Sequence, residues 1–242
     1  MFRRREVIFF FSSVLLIAFV FGFDDGQKSI VLSHWIQNFL WMMVFAVLSL
    51  GIHELAQRWA AHHYNVVYTF DLWRWQRFGL KKKLPPGKGV PVGILFSLFW
   101  TFYSLGQFPF SAVTSYTLEE HPTSRAGRKF IHLTDFEEAK IAFSGIFANL
   151  LLFLFLVQFK TVNPLISTFA WMNLVLAASY FIPLPGLNGA KIFFGSRTFY
   201  IFTLSCIIGS FLFSGVGFLF SVVLLLVFAA LDAFSYYIKR EK

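Results

Sequence analysis

"GIHELAQRWAAHHY", residues 51–64, sets a histidine and a glutamate side by side, His53 and Glu54, near the end of a long apolar run. On a helix, residues four apart share a face. A His-Glu-x-x-His segment uses that spacing to aim two imidazoles at one zinc ion, with the glutamate beside the metal-bound water. Residue 57, where the second imidazole belongs, is Gln. The stretch therefore raises two questions: what surrounds it, and what else in the chain converges on His53.

Composition answers the first. The 242 residues are 57% hydrophobic, 21% aromatic and only 14% charged, with a mean hydropathy of +0.66, which is too apolar for an ordinary soluble domain. A helix needs about 20 apolar residues to cross a bilayer core. Apolar runs fall at 7–23, 31–57, 90–114, 139–159, 164–184, 199–213 and 216–238. They predict an all-α polytopic membrane protein, a single membrane-embedded domain over 1–242. The net charge of +9 comes from basic residues in short loops and at the ends. That is the positive-inside pattern rather than a nucleic-acid surface, so lipid and not nucleic acid is the expected partner. One cysteine, Cys206, allows no intrachain disulfide and no thiolate metal site. The basic start and apolar run at 1–23 lack a small-residue cleavage site and are expected to remain as a first span.

Loop charge sets the expected topology. "RWQRFGLKKKLPPGKG" (74–89), the N-terminal "RRR" and the C-terminal "KREK" are the basic segments, whereas "DDGQK" (24–28) is acidic on balance. The N-terminus is then cytoplasmic, 24–30 outside and 58–89 inside. The run 90–114 contains "GQFPF" (106–110) and is short for two crossings, which predicts a re-entrant hairpin. With it, "SRAGRK" (124–129) and the C-terminus are cytoplasmic, and about six transmembrane helices accompany the hairpin. The ends of the second span and of the 164–184 span then share a leaflet.

Two further stretches answer the second question. "MNLVLAASYFIPLPGLNGAKIFFGSR" (172–197) is an apolar span broken by Pro183, Pro185, Gly186 and Gly189. Irregular backbone at membrane depth is tolerated where it lines a cavity or is buried in protein. "AKIAFSGIFANLLLFLFL" (139–156) carries Gly145 and Asn149 on an apolar helix. Glu54, an ionisable group within a span, is expected to face the bundle interior.

The His-Glu helix, the Gly145–Asn149 helix and the later Pro-x-Pro-x-Leu-x-Gly break, in that order, resemble the site-2 protease family of intramembrane zinc metalloproteases, prokaryotic type. The resembling core covers about 31–197; the pair of apolar runs in 198–238 is extra. The resemblance implies a plasma-membrane protein of a prokaryote, with a site near the cytoplasmic side that cleaves a transmembrane helix of a substrate. It implies His53 as first zinc ligand, residue 57 as second, residue 188 as third, Glu54 as general base and Asn149 as a hydrogen-bond donor to substrate or transition state. Pro183, Pro185, Gly186, Gly189 and Gly145 would be structural.

Three positions depart from that pattern. Gln57 replaces an imidazole, Asn188 a carboxylate, and Ile146 a proline. Amides are poor zinc donors, and only His53 remains as a good ligand, so zinc is expected in an active form of the site and not in this one. His62 lies about half a turn off the His53 line, His63 about 80° off and further along; His34, His121 and His132 have no spacing that points to the site. Gln57 and Asn188 retain hydrogen-bonding capacity and could hold the same helix junction through His53, Glu54 or Asn149. The expectation is a degenerate pseudoprotease that binds or regulates transmembrane segments. An active divergent zinc metalloprotease is the alternative; a transporter or membrane scaffold is the third reading, disfavoured by the lack of internal repeats. Elsewhere, "KKKLPPGKG" (81–89) could meet anionic headgroups. The polar segment 119–138 could be a lid, an edge strand or a connector, with Thr134 and Glu137 forming a capping box.

Overall fold

The computed structural model describes residues 4–24, 26, 31–75, 89–120 and 133–216. Outside them lie most of the basic tract 74–89, "SRAGRK", His121, His132, the run 216–238 beyond Val216, and "KREK".

Seven helices dominate: α1 (Arg4–Gly22), α2 (Leu32–His63), α3 (Val92–Tyr103), α4 (Asp135–Leu156, prolonged by a 3₁₀ turn, Val157–Phe159), α5 (Pro164–Phe181), α6 (Asn188–Gly195) and α7 (Arg197–Val216). Five of the spans, α1, α2, α4 with its 3₁₀ turn, α5 and α7, are long and apolar enough to cross a membrane. Helices suit that role because each satisfies its backbone polar groups internally. α4 packs on α5, α2 and α6, making it the centre of the bundle. Local chemistry sets the ends. Thr134 Oγ1 accepts from Glu137 N–H while the Glu137 carboxylate accepts from Thr134 N–H, the capping box read from the sequence. Asn163 caps α5, with Pro164 in its first turn.

The helical reading is met, with one addition that hydropathy did not announce. Residues 58–89 were expected as a cytoplasmic connection, but α2 continues through His63 and is followed at once by a strand, β1 (Val66–Leu72). β1 pairs antiparallel with β2 (Thr114–Glu120), from Val66 opposite Glu120 to Leu72 opposite Thr114. In β1 the alternate residues Val66, Tyr68, Phe70 and Leu72 are buried. The alternation of apolar residues with Thr69 and Asp71 is the period-2 signature of a half-buried strand.

The run 90–114 resolves into α3 and the start of β2. α3 has 12 residues and is about 18 Å long, well short of the about 30 Å of a bilayer core. The segment also returns to its origin. Gly93 N–H donates to Trp73 C=O at 3.0 Å, and Trp73 N–H donates to Val113 C=O at 2.8 Å. Residues 93–113 are thus an excursion that leaves and rejoins the protein at Trp73.

Candidate functional site

α2 passes between α4 and the strand pair, and its buried polar residues divide between the two sides. His53 faces α4 and α6. Its Nδ1 lies 3.3 Å from Asn149 Nδ2 on α4, and its Nε2 lies 3.2 Å from Asn188 Nδ2 at the start of α6. All three side chains are buried. A neutral imidazole offers one N–H and one lone pair. It is satisfied when one amide presents oxygen and the other N–H. The Gly145 carbonyl also accepts from the imidazole, so one ring N–H has a backbone acceptor and the lone pair of the other nitrogen is left to an asparagine amide.

Close approach makes this arrangement possible. A Cβ at Gly145 would lie 2.7 Å from His53 Nε2 and 2.8 Å from Gln57 Nε2, so a side chain there would push both out of their present places. Asn188 reaches the imidazole because α5 ends at Phe181: Ile182, extended ahead of Pro183, leads the chain out of the helix. The break is then fastened to the strand region. Trp73 Nε1 donates to Pro185 C=O at 2.8 Å, and Ser115 Oγ donates to Gly186 C=O at 2.5 Å. Gly186 has φ +92°, a conformation L side chains rarely adopt, and a Cβ there would lie 3.0 Å from the Trp73 ring. At Gly189 a Cβ would overlap the Phe181 carbonyl, which lets α6 fold back on the end of α5.

The other side of α2 meets tyrosines. Tyr68 Oη lies 2.5 Å from Glu54 Oε2 and 2.8 Å from Gln57 Oε1. Burial pushes the Tyr68 phenol well above its ordinary pKa, so it remains a donor. One hydroxyl proton serves one acceptor at a time. Gln57 Nε2 donates to Ala142 C=O at 3.4 Å, which turns Oε1 toward Tyr68. The three atoms are therefore jointly satisfied when the Glu54 carboxyl itself donates a proton to Tyr68. Thr114 Oγ1 lies 3.5 Å from Glu54 Oε1 and 2.5 Å from Tyr180 Oη, and the Tyr180 ring leans over His53 with centroids 4.6 Å apart.

Three outward backbone groups of the strand pair are engaged by side chains. Phe70 N–H donates to Glu6 Oε1 at 3.0 Å on the β1 edge. On the β2 edge, Thr114 N–H donates to Tyr180 Oη at 3.3 Å, and Tyr116 C=O accepts from Lys191 Nζ at 3.1 Å. Lys191 also pairs with Glu138 at 3.3 Å and lies 3.2 Å from the Tyr116 ring centroid. An incoming extended segment would have to displace these side chains at 114–116; most of the polar segment 119–138 lies outside the described residues.

The residues singled out from the sequence thus meet: His53, Glu54 and Gln57 on α2, Gly145 and Asn149 on α4, and Asn188 after the break. Gln57 bonds to Tyr68 and Ala142, outside the set of partners expected for it, because β1 brings a phenol to its carbonyl. His62, His63 and His34 are exposed. Tyr68, Thr114 and Tyr180 escaped the sequence reading; the only signal was the period-2 alternation around Tyr68. A zinc ion fits this donor set poorly. Two of the positions round His53 are amides, and both ring nitrogens lie within hydrogen-bond distance of an asparagine amide. Among the described residues, no three of His, Cys, Asp and Glu come together. No protein-family model, curated protein or solved structure matches the chain.

Proposed function

We propose that this protein is a degenerate relative of the site-2 proteases, an integral membrane protein that binds transmembrane segments of other proteins without cleaving them. One observation carries the reading. His53 and Gln57, one turn apart on α2, and Asn188, 135 residues on from His53, match the family's three ligand positions and lie round one buried point with Gly145 pressed against it. Random apolar helices have no reason to bring those positions together. The same observation argues against hydrolysis, since two of the three positions offer neutral amides and Zn²⁺ binds Cys, His and carboxylate far better. Without a metal there is no Lewis acid, and water keeps its ordinary pKa. On this reading 93–113 is a re-entrant excursion, both termini are cytoplasmic, and the apolar helix faces meet lipid or the bound segment.

The test is zinc content. The purified native chain is expected to hold none after washing, whereas the Gln57→His/Asn188→Asp double variant, refitted with an imidazole and a carboxylate, should retain more. A native chain with about one zinc per molecule would reject the proposal and favour the divergent protease. Hydrolysis of a membrane-spanning test substrate by the native chain would reject it as well.

A further inference from the structure

We propose that Tyr68 is a positioning residue that closes the site: its hydroxyl bridges Glu54 and Gln57 and fills the point where a water would have to sit to meet Glu54. The inference rests on the reading just given and adds a second lock to the loss of ligands. Its grounds are geometric. The hydroxyl is 2.5 Å from Glu54 Oε2 and 2.8 Å from Gln57 Oε1, touching the base position and a ligand position together. The other Glu54 oxygen faces Thr114 Oγ1, which is itself bonded to Tyr180. Both carboxyl oxygens are therefore met by protein hydroxyls.

Tyr68 is also held against rotation. Its ring stacks on Tyr116 with centroids 4.9 Å apart and planes 26° apart. The Arg58 guanidinium lies 5.3 Å from its centroid. Arg58 is in turn 3.2 Å from Glu6 Oε2, and Glu6 Oε1 accepts from Phe70 N–H, two residues along the same strand. The contacts form a closed circuit through α1, α2 and β1, so moving the hydroxyl out disturbs all three. Gln57 is fixed from its far side by Ala142 C=O, which leaves its Oε1 committed to Tyr68. A histidine placed at 57 would meet the same phenol, whose O–H would compete for the ring lone pair a metal needs.

Two measurements decide it. In the native chain in detergent, proton NMR should show a downfield Tyr68 hydroxyl proton in slow exchange with water, absent from Tyr68→Phe, which keeps the ring stack. In the Gln57→His/Asn188→Asp background, adding Tyr68→Phe should tighten zinc binding about tenfold or more, the scale on which groups contacting a ligand tune metal affinity. A Tyr68 hydroxyl exchanging freely with bulk water overturns the inference, as do equal zinc dissociation constants with and without the hydroxyl. Zinc in the native chain instead overturns the preceding proposal, so the two failures are distinguishable.

Discussion

The two sides of α2 solve the same problem differently. Toward α4 and α6, one imidazole is bracketed by two amides and occupies, with Gln57, the room that Gly145 leaves. Toward the strands, a carboxyl and an amide share one phenol that is wedged between Arg58 and Tyr116. The first side spreads its hydrogen bonds over two amides. On the second, one phenol oxygen is shared by Glu54 and Gln57, whose further partners are Thr114 and Ala142. Inside a bundle, polar groups without partners are costly, so a site that offers no strong metal set must find internal partners for His53, Glu54 and Gln57. Here they come from two asparagines on one side and tyrosines on the other.

The contrast is sharpest where volume rather than hydrogen bonding is changed. Gly145→Val should be the most damaging substitution, since its Cβ alone would meet His53 and Gln57 within 3 Å. Overpacking on this scale costs about 1–3 kcal/mol or more, read as a large fall in melting temperature or in folded yield from detergent. Tyr68→Phe comes next. It removes the one hydroxyl shared by Glu54 and Gln57 and should cost about 1–2 kcal/mol in thermal unfolding. An equal loss in Asn149→Ala would erase the difference between the sides. Asn149→Ala should be milder, about 1 kcal/mol or less, because Asn149 Oδ1 has no second partner to lose. Ser115→Ala should be the smallest, a few tenths to about 1 kcal/mol. Its effect should show first as faster proteolysis or hydrogen exchange at 183–187, the break it fastens to β2.

Much of this was legible in the sequence, and the limit has a physical cause. Spans announce themselves by summed hydropathy, so α1, α2, α4, α5 and α7 follow from apolar runs, and Thr134 with Glu137 marked the start of α4. His53, Glu54, Gly145, Asn149 and Asn188 were legible because each lies in a spacing that chemistry constrains. β1 was hidden by its place directly after α2, where Val66–Leu72 passes for the tail of a polar connection. α3 and α6 are short, and the 90–114 run reads as one apolar stretch until its return to Trp73 is seen. Tyr68, Thr114 and Tyr180 carry no motif: the first two reach Glu54 only because the strand pair lies across α2, and Tyr180 reaches His53 from α5. Local pattern specifies the helices, whereas the partners of a buried polar group are specified by what the fold lays beside it.

On the proposed reading, hydrogen bonds and not a metal hold α2 to α4, α6 and the strands. A ligand that binds only the folded state raises its stability, and removing it lowers the melting temperature. The direct test is therefore thermal unfolding of the native chain in detergent, with a strong zinc chelator and with added zinc. The melting temperature should be the same in both. A drop of several degrees in the chelator, restored by zinc, would contradict that reading.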